Sequence, residues 1–305
     1  HERLVGSEMC IRDRHIRDLK WHIDKLPDYL YCRHVEITGP ASNAKMMINA
    51  INSNADGYMA DLEDSMSPTF ENVINAHINI RSAIRNSLTY KTEKKIYKIN
   101  QKINYMFVRS RGTHLKEEGI DDNIPVNATL FDISVYMFHN AKFLIDNNKH
   151  PLLYIPKLET YEQAVLINKM LNEIETILKI PIGSTKVTLL IETYPAMFQL
   201  DEIMYALKDY ICAVNCGRWD YMFSIIKCMG DKVEFGDRSK LSMELPLMKA
   251  YVKQVVSRAH CRSVLALGGM SAFIPVLDCL LYTSDAADDS LRVDLGGRRI
   301  IKKQT

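Results

Sequence analysis

The sequence predicts an α/β protein, a (β/α)8 TIM barrel truncated at both ends. Short β-rich apolar runs alternate with segments of helical periodicity, and the alternation repeats eight times between residues 35 and 269. Such alternation is typical of a parallel sheet. Eight units over about 235 residues suit a barrel, which typically takes ~250. An open doubly wound sheet is the alternative, but no GxGxxG motif follows the first strand.

The predicted strands are short runs that end in polar residues. In order they are HVEITG (34–39), GYMADLED (57–64), NYMFVRSRG (104–112), PLLYIPKLE (151–159), KVTLLIET (186–193), ICAVNCG (211–217), LSMELP (241–246) and SVLALGG (263–269). Between them, Ser67 and Pro68 predict a helix start, Thr160 and Gln163 a capping box, and Pro195 the start of another helix.

The composition is that of an ordinary globular protein, with 47% hydrophobic and 25% charged residues and a net charge of +2. This balance predicts neither nucleic acid nor membrane as a partner, and no apolar run approaches the ~18 residues of a membrane span. Seven scattered cysteines without a CxxC pair indicate reduced thiols and a cytoplasmic protein rather than a zinc site.

The two ends of the chain differ from the rest. SEMCIRDR (7–14) and CLLYTSDAADDSLRVDLGG, from Cys279, resemble translated sequencing adapters, and no periodicity persists after Pro275. We expect four parts: non-native segments at 1–14 and 278–305, a remnant of an N-terminal region at 15–34, and the barrel at 35–277.

In such barrels the chemistry lies at the carboxyl ends of the strands. Two carboxylates there, Glu192 and Asp220, follow adjacent strands and suit Mg²⁺; alternatively they are solvated or pair with Arg218 and Lys157. The residues at these ends are Asp61, Glu63, Asp64, Arg109, Arg111, Lys157, Glu159, Glu192, Arg218, Asp220, Pro246, Gly268 and Gly269.

Arg109 ends an apolar strand, so it needs an anionic partner. A substrate carboxylate or a developing enolate oxygen would serve, and so would an internal salt bridge with Asp61 or Glu63. The same ambiguity holds for the acidic ADLEDS stretch, which could anchor metal-bound waters or simply begin a turn. Trp219 is expected to pack rather than to bind a ligand.

Several motifs together resemble malate synthases of the shorter A-type form. They occur in order from about Val35 to Pro275. They are VEITGP (35–40), YMADLEDSMSP (58–68), INIRSAI (78–84), FVRSRGTHL (107–115), YIPKLE (154–159), LLIETYPAMFQLDEI (189–203), NCGRWDY (215–221) and GGMSAFIP (268–275).

The resemblance implies condensation of acetyl-CoA with glyoxylate, then hydrolysis to malate and CoA, in the glyoxylate cycle. It implies that Glu192 and Asp220 are Mg²⁺ ligands and that Arg109 is the catalytic arginine. Residues implied near the metal's water shell are Asp61, Glu63 and Asp64. Residues implied at the substrate are Gly217, Arg218, Trp219 and Pro246.

The chain also departs from the family. The family's catalytic Asp base lies in a C-terminal helical domain that has no counterpart here, so a catalytically inactive truncated barrel is one alternative. Another is a metal-dependent carbon–carbon bond enzyme of citrate lyase β-like or aldolase type. Without the native C-terminus, a peroxisomal signal remains open beside a cytoplasmic location.

Overall fold

The computed structural model describes residues 14–101, 104–120, 125–232, 236 and 243–269. Parallel strands alternate with helices in these ranges, which confirms the predicted fold class. The strands are β1 Glu36–Pro40, β2 Gly57–Asp61, β3 Thr89–Lys91, β4 Ile96–Lys98, β5 Tyr105–Arg109, β6 Lys116–Glu117, β7 Val126–Asn127, β8 Leu152–Ile155, β9 Lys186–Ile191, β10 Ile211–Cys216 and β11 Leu265–Leu267. One sheet has the strand order β1-β2-β5-β8-β9-β10-β11, and two antiparallel pairs, β3-β4 and β6-β7, are separate from it.

The helices fall between the strands, as the periodicity predicts. They are α1 Arg14–Asp18, α2 Ala44–Ile51, α3 Phe70–Ile84, α4 Ala128–Asp146, α5 Tyr161–Leu178, α6 Leu200–Ala206, α7 Arg218–Met229 and α8 Pro246–Cys261, with 3₁₀ turns at Asp28–Tyr31, Pro195–Phe198 and Gly230–Lys232. No helix in the described ranges is long and apolar enough to cross a membrane.

The chain divides into two compact units. The Arg109 unit comprises residues 27–156 and 170–188. The described part of the Glu192 unit comprises residues 14–26, 157–169 and 189–269.

Within the Arg109 unit, β1, β2, β5 and β8 pair in parallel. Asp61 is level with Arg109 across the β2–β5 pair. All five residues of β2 and of β5 are buried, as expected for a parallel sheet whose faces are both covered.

A buried arginine lies among the strands of the Arg109 unit. The guanidinium of Arg33 donates to Thr188 and Glu36, each at 2.9 Å, and stacks over Phe107 at 4.1 Å. Buried charges persist when they are paired and hydrogen-bonded, and both conditions hold here. No local pattern indicates the contact with Thr188, because that residue lies 155 positions from Arg33.

In the Glu192 unit, β10 pairs directly with β11, with Ala213 opposite Leu265. The N-terminal segment packs against the same unit. The backbone N–H of Ile23 donates to the carbonyl of Arg262, and Arg262 stacks over the indole of Trp21 at 4.7 Å. The segment is therefore part of the folded structure.

The seventh predicted strand is wrong in its described part. Residues 243–245 form a turn and Pro246 begins α8, while residues 241 and 242 lie outside the described ranges. Pro246 occupies the first turn of the helix, where its missing N–H would have no intrahelical partner and its fixed φ is already helical. A short alternation such as LSMELP cannot by itself distinguish a strand from the approach to a helix.

The three predicted helix starts have different outcomes in the structure. At the capping box, Gln163 N donates to the Thr160 hydroxyl at 3.4 Å and Thr160 N to the side-chain amide oxygen of Gln163 at 3.3 Å, which confirms it. The start at Ser67 is wrong by two residues, because Thr69 is the N-cap and accepts from Asn72 N. Pro195 begins a 3₁₀ turn, and the α-helix follows at Leu200.

Candidate functional site

Arg109 lies at the end of β5, buried and surrounded by acids from the loop after β2. Its Nε and Nη2 donate to the two carboxylate oxygens of Asp61, each at 2.7 Å. Its Nη1 lies 3.8 Å from Glu63 and 3.5 Å from Asp64. Asp61 also accepts from the backbone of Glu63 and Ser65, at 2.9 Å each. The ADLEDS stretch therefore both forms a turn and supplies counter-charges for the arginine.

These contacts fix the charge states of the pair. Burial alone would lower the pKa of Arg109, but the hydrogen bonds of Asp61 and the charges of Asp61, Glu63 and Asp64 raise it, so the guanidinium stays charged. Burial raises the pKa of Asp61, but the hydrogen bonds and charge of Arg109 outweigh it and lower the pKa below its ordinary range. The internal salt bridge expected as one alternative for Arg109 is present.

Arg111 lies two residues further on, in a separate buried ion-pair cluster. Its Nη2 lies 2.8 Å from Asp132, and its Nη1 lies 2.8 Å from Glu117. Both carboxylates balance its charge. Through Asp132 on α4 and Glu117 on β6, Arg111 links the loop after β5 to these two elements.

In the Glu192 unit, Glu192 follows β9 and is buried. The backbone N–H of Lys157 donates to its Oε1 at 3.0 Å. A Cβ added to Gly217 would come within 2.5 Å of its Oε2 and 2.8 Å of its Cβ. Only a residue without a side chain leaves room there for the carboxylate, which is a physical reason for glycine at the end of β10.

Lys157 contacts both predicted metal ligands. Its Nζ lies 3.6 Å from Oδ1 of Asp220, and the side chains of Lys157 and Asp220 are 22% and 35% exposed. Its φ is +55°, whereas the other described non-glycine residues with positive φ follow helices. A left-handed conformation in a residue with a side chain costs of order 1 kcal/mol and is common at functional sites. Here it directs the N–H toward Glu192.

The NCGRWDY stretch forms the end of β10 and the start of α7. Gly217 is the N-cap, and Asp220 lies in the first helical turn, where the helix dipole favours an acidic group or a bound anion. Arg218 stacks over the ring of Trp219 at 4.4 Å. Pro246, predicted at a strand end, instead lies exposed at the start of α8.

The donor set of the Glu192 unit is small. No group of three or more His, Cys, Asp or Glu side chains in the described part of the chain could hold a metal. Mg²⁺ is often held by only one or two carboxylates, with waters and substrate oxygens completing its shell. Glu192, in the space left by Gly217, and the partly exposed Asp220 fit that requirement.

One contact in this unit was among the alternatives expected from the sequence, and two were not. The ion pair of Lys157 with Asp220 is the expected one, whereas the bond from its backbone N–H to Glu192 had no local signal. Tyr251 of α8 has no distinguishing local pattern either, although its hydroxyl bonds to the residue before Glu192.

A cavity of about 360 Å³ in the Arg109 unit is lined by Tyr105 and Leu152 at the amino-terminal ends of β5 and β8. Arg109 is at the opposite, carboxyl end of β5, so this cavity is not part of the candidate site.

Comparison with known sequences gives one consistent family. The model of the malate synthase TIM barrel domain matches residues 105–296. The chain is 41% identical over 283 residues to malate synthase of Myxococcus xanthus (strain DK1622), covering 92% of this chain and 52% of that protein. It is 41% identical over 270 residues to malate synthase A of Escherichia coli (strain K12), covering 86% and 50%. The chain thus spans about half the length of these curated relatives.

Comparison with solved structures shows the same fold at low identity. A citrate lyase from Burkholderia xenovorans LB400 superposes with a TM-score of 0.57 at 13% identity, covering 87% of this chain and 70% of that one. A Haloferax volcanii malate synthase, solved as a pyruvate/acetyl-CoA ternary complex, gives 0.54 at 15%, covering 78% and 59%. These likenesses establish the fold alone.

Proposed function

The chain belongs to the malate synthase family, and from that premise we propose that it carries the Mg²⁺ and glyoxylate site and the enolate-stabilising arginine of a malate synthase. The reaction would join acetyl-CoA to glyoxylate and hydrolyse the product to malate and CoA. The observation that carries the proposal is the buried Glu192, with Gly217 leaving room for it and Lys157 contacting both it and Asp220. Of these residues, Glu192 and Asp220 are the two that the family resemblance implies for the metal.

Glu192 and Asp220 would hold the ion. When bound, Mg²⁺ would act as a Lewis acid on the aldehyde of glyoxylate. Gly217 and the residues after it expose backbone N–H groups at the start of α7, which suit the glyoxylate carboxylate. Their task is to bind and orient the acceptor, so that its carbonyl carbon faces the incoming nucleophile.

Arg109 would stabilise the negative charge that develops on the thioester oxygen as the acetyl methyl group loses a proton. It suits this role because it is already charged and held in place by Asp61. Preorganised donors of this kind need no reorganisation during the reaction. Asp61, Glu63 and Asp64 then serve as counter-charges of Arg109, in addition to any role near the metal's water shell.

This proposal assigns no residue at the described strand ends as the base that accepts the proton from the acetyl methyl group. Asp61 is doubly hydrogen-bonded to Arg109, and a depressed pKa makes it a weak base. The family resemblance implies an Asp from a C-terminal domain as the base. We therefore expect the 305-residue polypeptide on its own to turn over slowly, since a positioned base contributes roughly 10²–10⁴-fold.

The reaction would serve the glyoxylate cycle, as the resemblance implies, and one relative is named a bifunctional glyoxylate cycle protein (Caenorhabditis elegans, 44% identical over 264 residues). We propose the cytoplasm as its location, with the glyoxysome as the alternative. The relatives from Candida tropicalis and Gossypium hirsutum are named glyoxysomal.

The test is an assay of CoA release from acetyl-CoA with Mg²⁺ and glyoxylate. The 305-residue polypeptide is compared with a longer one that supplies the other half of a relative's length. We expect glyoxylate-dependent release in the longer polypeptide, and a rate lower by roughly 10²–10⁴-fold in the shorter. Equal rates in the two would refute the assignment of the base, and preference for another oxo acid would refute the assignment of the substrate.

A further inference from the structure

The buried Tyr251 contacts the residues that neighbour the two predicted metal ligands. Tyr251 projects from the first half of α8 and is 2% exposed. Its hydroxyl donates to the backbone carbonyl of Ile191, the last residue of β9. Because Glu192 is the next residue, this hydrogen bond holds the peptide unit from which the Glu192 side chain departs.

The other face of the same side chain reaches α7. The rings of Tyr251 and Tyr221 stack with centroids 4.0 Å apart and an interplanar angle of 12°. Tyr221 directly follows Asp220 in the first turn of α7. Stacked aromatic pairs contribute favourably beyond the area they bury, so this contact links the first turn of α7 to Tyr251.

A third contact links Tyr251 to the end of β10. Its hydroxyl interacts with the buried thiol of Cys216, the residue before Gly217. Burial raises the pKa of Tyr251 well above its ordinary value, so the hydroxyl keeps its proton and stays a donor. Two separate segments, one carrying Glu192 and the other carrying Gly217 and Asp220, therefore meet at one phenol.

We propose that Tyr251 is a positioning residue that fixes Glu192 and Asp220 relative to each other in the geometry that binds a divalent cation. The inference rests on the proposed function, because it takes these two carboxylates as the ligands. Outer-shell partners that orient ligands typically contribute 10–100-fold to metal affinity. Tyr251 acts one residue away from each ligand, so we expect an effect of about tenfold, at the lower end of that range.

The test compares two tyrosine-to-phenylalanine variants. Tyr251→Phe removes the hydroxyl and keeps the stacked ring. Tyr136→Phe is the matched control, because Tyr136 is equally buried and its hydroxyl also bonds to backbone, accepting from Leu152 N at 3.2 Å. Tyr136 belongs to the Arg109 unit, which contains neither of the two segments. Each variant removes one hydrogen bond to the backbone, so comparison with Tyr136→Phe separates a specific effect of Tyr251→Phe from a general loss of stability.

Two measurements are made on each protein. The first is calorimetric titration with Mg²⁺ in the presence of glyoxylate. The second is amide hydrogen exchange without metal, followed in residues 189–194 and 216–222. We expect Tyr251→Phe to bind Mg²⁺ about tenfold more weakly and to exchange faster in both segments, while Tyr136→Phe matches the wild type in both measurements.

The outcomes separate this inference from the proposed function. Unchanged Mg²⁺ affinity and unchanged exchange in Tyr251→Phe would overturn the inference while leaving the metal site intact. Failure of the wild type to bind Mg²⁺ would overturn the proposed function, and faster exchange in Tyr251→Phe would still establish the positioning contact. Should Tyr251→Phe not fold, Tyr221→Leu removes the stack from the other side and is expected to accelerate exchange at 216–222.

Discussion

Asp61 and Arg109 are level with each other on adjacent parallel strands and form a bidentate, buried ion pair, with both N–O distances at 2.7 Å. Removing one partner of a buried pair typically costs 3–5 kcal/mol because the remaining charge is uncompensated. Glu63 and Asp64 still lie near Arg109, so we place the cost at the low end. Asp61→Asn should lower the free energy of unfolding by about 3 kcal/mol, measured by urea denaturation.

The matched control for that variant is Asp64→Asn. Asp64 is 47% exposed and lies 3.5 Å from the same guanidinium. Partly exposed ion pairs contribute about 0–1 kcal/mol, so this variant should unfold within about 1 kcal/mol of the wild type. Equal losses in both variants would show that Arg109 responds to total charge rather than to the bidentate contact.

The same pair predicts a pH dependence. The pKa of Asp61 is lowered from its ordinary value of 3.8 in the folded state. Its contribution to stability is therefore fully present above that value and is lost as the pH falls through the folded-state pKa. The difference in unfolding free energy between wild type and Asp61→Asn should be constant from pH 7 to about 5 and shrink below about 4. A difference that grows on acidification would contradict the assignment.

Gly217→Ala should displace the Glu192 carboxylate, because the new Cβ would come within 2.5 Å of Oε2. Such overpacking typically costs about 1–3 kcal/mol. We expect weaker Mg²⁺ binding in the presence of glyoxylate, measured by calorimetry, together with that loss of stability. A Gly217→Ala variant with wild-type Mg²⁺ affinity would remove Glu192 from the candidate ligands or show that the backbone yields without cost.

The two ends of the chain should contribute little to stability, since we expect residues 1–14 and 278–305 to be non-native. Their removal should change the free energy of unfolding by no more than about 0.5 kcal/mol. Extending the N-terminal deletion to residue 26 should destabilise the protein by several times that amount, because the buried Trp21 and its contact with Arg262 are lost. Thermal melts of the two truncated polypeptides make the comparison, and a large loss in the shorter truncation would contradict the expectation.

Local patterns predicted what depends on local physics. The alternation of apolar runs with helical segments predicted the fold class, and the carboxyl-end rule selected Arg109, Glu192 and Asp220 before any contact was known. The capping box at Thr160 was readable because both of its partners lie within four residues. Once the strands and a parallel sheet are predicted, the residues at the carboxyl ends of the strands can be read directly from the sequence.

Features that depend on distant contacts could not be predicted in this way. The hydroxyl of Tyr251 bonds to a carbonyl 60 residues away, and the backbone N–H of Lys157 bonds to a carboxylate 35 residues away. The error at residues 243–246 has a different cause. Six residues of alternating polarity are too few to separate a strand from the lead-in to a helix that begins at a proline.

The central claim is that Glu192 and Asp220 together hold Mg²⁺. Calorimetric titration of Mg²⁺ with glyoxylate present, on wild type, Glu192→Gln and Asp220→Asn, tests it most directly, with Glu244→Gln as an exposed-carboxylate control. We expect one saturable site in the wild type and in the control, and binding weakened more than about tenfold in each ligand variant. Wild-type affinity in both ligand variants, with their melting temperatures unchanged, would contradict the claim.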